Sequence, residues 1–164
     1  MPTLPVSVVL HHVRSLYNVG SFFRTADGAG VRELVLSGIT ATPPRKEIAK
    51  TALGAEDVVP WVGTEDLRAW METFAADGGQ LAAIETTPEA IDLYDWRPAW
   101  PVAVLFGHEV EGLPPELLAL CHVHVRIPML GTKRSLNVAT AGGVVLYELL
   151  RKHRADARDV PTAP

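Results

Sequence analysis

Cysteine is nearly absent from this chain: Cys121 is the only one in 164 residues. That excludes an intrachain disulfide, so stability has to come from burial. A lone thiol suits a reducing compartment, and a cytoplasmic location is expected. Long apolar runs are lacking too. None approaches the roughly 18 residues that a membrane helix needs. The opening stretch M-P-T-L-P-V-S-V-V-L has no basic region and is interrupted by Pro2 and Pro5, so no signal peptide is expected. There is no excess of positive charge: 15 Lys and Arg face 19 Asp and Glu, a net charge of −4. By itself that balance argues against a nucleic-acid partner. Two nucleotide-binding patterns are also missing. No G-x-G-x-x-G follows the first predicted strand, and no G-x-x-x-x-G-K-[ST] occurs, which sets aside NAD and nucleoside triphosphates. His11 and His12 adjoin, and His122 and His124 alternate on one strand face. No second cluster of zinc-like spacing accompanies them, so no metal is expected.

The distribution of charge says more than its sum. Residues 1–50 carry six Lys and Arg against three Asp and Glu, residues 51–116 two against thirteen, and residues 117–164 seven against three. A fold that brings the two basic ends together would present a basic face and an acidic back.

The length predicts one domain, over residues 3–154, with a frayed tail at Ala155–Pro164. Strands are predicted at Val6–Leu10, Glu33–Leu36, Val58–Val62, Leu81–Ile84, Val102–Phe106 and Val123–Ile127. Helices are predicted at Val19–Gly30, Ile48–Leu53, Glu65–Ala76, Pro114–Leu120 and Leu136–Arg154, while Pro88–Trp96 fits neither pattern. Strands alternating with helices imply an α/β fold, a mostly parallel sheet flanked by helices. The last helix is apolar around most of its circumference and contains Gly142 and Gly143. It is either a deeply packed central helix or a dimer interface where glycines let two backbones approach; the dimer is the favoured expectation.

Three short segments at predicted strand ends carry the chemistry: N-V-G-S-F-F-R-T-A-D at Asn18–Asp27, F-G-H-E-V-E-G-L at Phe106–Leu113, and I-P-M-L-G-T-K-R-S-L-N-V-A at Ile127–Ala139. Strand ends are where open α/β sheets gather ligand-binding groups. In the first, Asn18 is a candidate N-cap. The free amides of a helix start there suit an anion, and Arg24 adds a planar fork of donors. In the second, Gly107 and Gly112 bracket Glu109, which could orient Arg24. In the third, an apolar wall (Ile127, Met129) leads through Gly131 to Ser135 and Asn137, a mixture suited to an adenosine-bearing ligand. Ser135 is also a candidate N-cap of the last helix.

Together with I-T-A-T-P-P-R-K-E-I-A-K-T-A-L-G-A at Ile39–Ala55, these segments resemble the SpoU (TrmH-like) RNA 2'-O-ribose methyltransferases of the SPOUT superfamily, over nearly the whole chain. The resemblance implies an S-adenosylmethionine-dependent enzyme that methylates a ribose 2'-hydroxyl in tRNA or rRNA. It also implies a homodimer and a deep C-terminal trefoil knot. Carried over by position, Asn18, Arg24, Glu109, Ser135 and Asn137 match the family's catalytic residues. Phe106, Gly107, Glu109, Ile127, Met129, Ser135, Leu136 and Asn137 match its cofactor-binding loops. Arg24 is often given the role of general base in that family. A guanidinium stays protonated at any ordinary pH, so Arg24 is expected instead to bind and polarise the hydroxyl and its phosphate. RNA is expected to be gripped by Arg14, Arg24, Arg45, Lys46, Lys50, Lys133 and Arg134. The alternative is a catalytically inactive knotted RNA-binding or assembly protein; the intact Asn18, Arg24, Glu109, Ser135 and Asn137 argue against it. Ala139 stands where the family commonly has a serine, a small change on the helix.

Overall fold

Along β1 (Leu4–His11), Val6, Val8 and Leu10 alternate with Ser7 and Val9, and all five are buried. A strand covered on both faces needs such a run, because successive side chains point to opposite sides. Val6, Val8 and Leu10 join one apolar cluster, with Phe22, Phe23 and Ala26 of α1 (Leu16–Ala29) and Val145, Leu146 and Leu149 of α5 (Val138–Asp159). Val9 joins a second cluster on the other face, with Leu67 and Met71 of α3 (Leu67–Ala76) and Leu117 of α4 (Pro115–Leu118). The computed structural model describes residues 3–161.

The remaining elements are β2 (Val31–Ser37), α2 (Lys46–Ala52), β3 (Trp61–Thr64), β4 (Gln80–Ile84), β5 (Ile91–Asp92), β6 (Val102–Phe106) and β7 (Val123–Arg126). The strands form one seven-stranded sheet in the order β3-β2-β1-β6-β4-β7-β5, every neighbouring pair parallel. The expected α/β class with a parallel sheet is therefore correct. Because the register aligns Leu10 with Phe106, Ala83 with Leu105 and Ile84 with Val125, the C-terminal ends of β1, β6, β4 and β7 open onto one edge.

Several boundaries differ from expectation. α1 starts at Leu16 rather than Val19, because Ser15 and not Asn18 is the N-cap: the Ser15 hydroxyl accepts the Asn18 N–H at 3.2 Å. The predicted strand Val58–Val62 begins only at Trp61, since Ala55–Asp57 forms a 3-10 turn in which the Ala55 carbonyl accepts both the Val58 and Val59 amides. The expected frayed tail is helical as far as Asp159; Thr162–Pro164 lie outside the described residues.

The close approach offered by Gly142 is made within the chain, where a Cβ would run into the ring of Phe22 on α1. Gly143 has open space around it.

α5 is also fastened at its far end. The ammonium of Lys152, buried, donates to the carbonyls of Leu93 and Trp96, the first at 2.6 Å. Trp100 Nε1 donates to Asp156 Oδ2 at 2.8 Å. These bonds order the segment that follows β5, which sequence periodicity leaves undecided. Lys152→Met keeps the apolar stem but leaves buried carbonyls without a donor. It is expected to lower unfolding free energy by about 2–3 kcal/mol in a urea melt; an unchanged midpoint would contradict this fastening role.

Candidate functional site at the sheet edge

The loops after β4, β6 and β7 converge on a cleft of about 1140 Å³. Phe106 ends β6 and Gly107 follows it, Ile127 and Met129 follow β7, and Ser135, Leu136 and Asn137 lead into α5; with Glu109, all of them line this cleft. The structure thus brings together every residue that the sequence assigned to cofactor binding.

Gly107 is buried, and space is what demands glycine there. A Cβ would lie 2.5 Å from the carbonyl carbon of Gly112 and from the Leu113 nitrogen. The loop folds back on itself at that point: the Gly112 N–H donates to the His108 carbonyl at 2.9 Å, and Gly112 has φ 69°. A left-handed turn of this kind favours glycine.

Glu109, at the tip of that loop, does not pair with Arg24. Its two carboxylate oxygens accept the Arg14 and Ser15 N–H groups, each at 3.1 Å. Burial pushes its carboxyl up, but the amides of Ser15, of Glu109 itself and of Arg14, with the Asn18 side chain, outweigh this and hold it below the ordinary carboxylate range. The carboxylate therefore fastens the loop after β6 to the start of α1.

Asn137 rather than Ser135 caps α5. Its Oδ1 accepts the Ala139 and Thr140 N–H groups at 2.9 and 3.4 Å. Ser135 is exposed on the cleft wall.

Sequence reasoning missed Glu85. It directly follows β4, the strand between β6 and β7, and lines the cleft. One of its oxygens accepts the Leu113 N–H at 2.8 Å. Burial pushes its carboxyl above the ordinary range, against the Leu113 amide and the nearby His124. The signal in the sequence was its place directly after the predicted strand Leu81–Ile84; that this strand is central emerges only from the sheet order.

A second cleft of about 510 Å³ adjoins the first and is lined by Arg14, Tyr17, Arg45 and Glu109 among others. Of the remaining basic candidates, Lys133 and Arg134 line the large cleft, and Lys46 and Lys50 are exposed on α2. Arg24 is exposed on α1 and borders neither cleft. Among the described residues, no helix is long and apolar enough to cross a membrane, and no group of His, Cys, Asp or Glu could hold a metal ion. Burial pushes the Cys121 thiol up to about 12, which keeps it in the protonated form near neutral pH.

An open parallel sheet covered by helices on both faces, with its cleft at the carboxyl ends of the strands, defines a ligand-binding α/β protein. The chain belongs to the SpoU rRNA Methylase family, whose pattern matches residues 5–147. It is 32% identical over 152 residues to the 23S rRNA (guanosine-2'-O-)-methyltransferase RlmB of Vibrio parahaemolyticus, covering 92% of this chain and 61% of that protein. The chain thus spans about three fifths of the length of the curated relatives it matches. Among solved structures it resembles the AdoMet-bound rRNA methyltransferase from Sinorhizobium meliloti, with 32% identity, TM-score 0.81 and coverage of 92% of this chain and 60% of that one. A structure described by its work on 2-OH methylation of C/U34 on tRNA shares 30% identity and TM-score 0.82, covering 92% of this chain and 97% of that one.

Proposed function

We propose that this chain is an S-adenosylmethionine-dependent methyltransferase that modifies a ribose 2'-hydroxyl in tRNA or rRNA. One observation carries the reading: the residues expected to bind the cofactor, drawn from segments far apart in sequence, all line one cleft at the sheet edge. The names of the relatives support it, since one methylates 23S rRNA and another structure concerns tRNA.

The cleft fits the cofactor. Its volume suffices for a ligand of that size. Its lining combines an apolar wall of Ile127, Met129 and Leu136 with backbone brought close at Gly107. An adenine ring and a polar tail need both. When bound, S-adenosylmethionine supplies an electrophilic methyl group. The chain's own task is to place the ribose hydroxyl and to ease the loss of its proton. Arg24 binds and polarises that hydroxyl and its phosphate. Glu109 holds the start of α1, and with it Asn18, against the cleft. Fixing such geometry supplies several kcal/mol of a transfer barrier.

Because Arg24 borders neither cleft, the working site is completed between two copies of the chain. Gly143 and the half-exposed Tyr147 lie one turn apart on α5 and offer an open surface for that contact. The C-terminal knot belongs to the same reading. Its support is that the loops 107–112 and 127–137 wall one cleft while α5 returns to α1 and to residues 93–100. A cytoplasmic location accords with an RNA substrate. Titration calorimetry with S-adenosylmethionine is expected to give saturable binding of one cofactor per chain; heats no greater than dilution at millimolar cofactor would reject the assignment.

A further inference from the structure

The second cleft has no assigned occupant, yet it meets the first: His108, Glu109 and Val110 line both. We propose that it receives a single unpaired nucleotide of the RNA, with the base stacked on Tyr17 and the phosphate held by Arg14 and Arg45. This rests on the reading of the chain as an RNA methyltransferase and adds the form in which RNA is taken.

Tyr17 stands in the first turn of α1, and its backbone carbonyl accepts the Thr51 hydroxyl at 2.8 Å. Its side chain is nonetheless 50% exposed and lines the cleft. An anchored backbone carrying an open ring is a platform on which any base can stack. The two guanidinium groups are available. Among the described residues Arg14 forms no ion pair, and Arg45 meets only Glu47 at 3.8 Å, beyond hydrogen-bond length. Around the start of α1, the Arg14, Ser15 and Asn18 amides are already taken, by Glu109 and by the Ser15 hydroxyl, which leaves the two guanidinium groups as the charged donors of this cleft. The phosphate therefore falls to the arginines. A base inside an RNA duplex has both faces covered by its neighbours and cannot stack on a side chain; a splayed-out base can. An occupant here lies beside the cofactor cleft, where an acceptor ribose has to be.

The test compares two RNA probes by fluorescence anisotropy: a short hairpin with an unpaired loop, and the same sequence annealed to its complement as a continuous duplex. Wild-type protein binds the hairpin more tightly. Tyr17→Ala weakens hairpin binding by roughly tenfold and leaves duplex binding and S-adenosylmethionine affinity unchanged. Tyr17→Phe keeps the ring and the hairpin affinity. Equal hairpin binding by wild type and Tyr17→Ala, or equal losses on both probes, overturns the proposal. A chain that binds S-adenosylmethionine but fails this test keeps the methyltransferase reading and loses the cleft. A chain that binds the hairpin through Tyr17 but never binds the cofactor keeps the cleft and loses the methyltransferase reading.

Discussion

Arg24→Ala is expected to lower the rate of methyl transfer to RNA by about a hundredfold to a thousandfold, with affinity for S-adenosylmethionine staying at the wild-type value. The magnitude is that of removing one donor aimed at developing negative charge on oxygen. The split between rate and affinity comes from position: Arg24 is exposed on α1 and borders neither cleft, so it has no part in holding the cofactor. Folding should be untouched, because among the described residues the side chain forms no ion pair. Arg24→Lys retains charge but not the planar fork and recovers part of the rate. Single-turnover transfer and cofactor titration on the same preparations separate the two quantities. Near-normal turnover by Arg24→Ala would remove it from the reaction.

Gly107→Ala has the opposite profile. Its new methyl group would sit 2.5 Å from the Gly112 carbonyl carbon and the Leu113 nitrogen, so the loop must open. Backbone cannot swing aside as a long side chain can, and overpacking of this kind costs about 1–3 kcal/mol. The consequences spread along the loop. Leu113 donates to Glu85, and Glu109 accepts from Arg14 and Ser15. Cofactor affinity is expected to fall at least about tenfold, the equivalent of 1.4 kcal/mol, with a lower melting temperature. Gly63→Ala is the matched control for stability, since the added carbon there meets only ordinary van der Waals contacts, at 3.7 Å and beyond. Wild-type cofactor affinity in Gly107→Ala would show that this loop does not wall the cofactor cleft.

Much of this architecture is legible in the sequence because the central strands announce themselves locally, whereas the two-residue β5 does not. The continuous apolar run Val102–Phe106 reads as a strand buried on both faces, and it is one. The same reasoning puts the motif-bearing loops at strand ends, and one cleft at the sheet edge is lined by residues from the second and third segments. What the sequence hides is contact across distance. Ser15 and Asn18 are equally good N-caps by residue type. The Glu109 carboxylate that settles the start of α1 comes from 94 residues away. Gly142 signals close approach, but only the packed helices reveal Phe22 as the neighbour. Nothing local to Lys152 marks it as buried; only the structure shows its ammonium capping the carbonyls of Leu93 and Trp96. Glu85 looks like an ordinary carboxylate until β4 is known to lie between β6 and β7.

The most direct measurement is transfer of labelled methyl from S-adenosylmethionine to bulk tRNA and rRNA from cells that lack this gene, followed by alkaline hydrolysis. A 2'-O-methyl group blocks cleavage at its own phosphodiester. The account predicts label that survives in alkali-resistant dinucleotides with the wild-type protein and is lost with Arg24→Ala. Label released as mononucleotide, or equal label with Arg24→Ala, would contradict it.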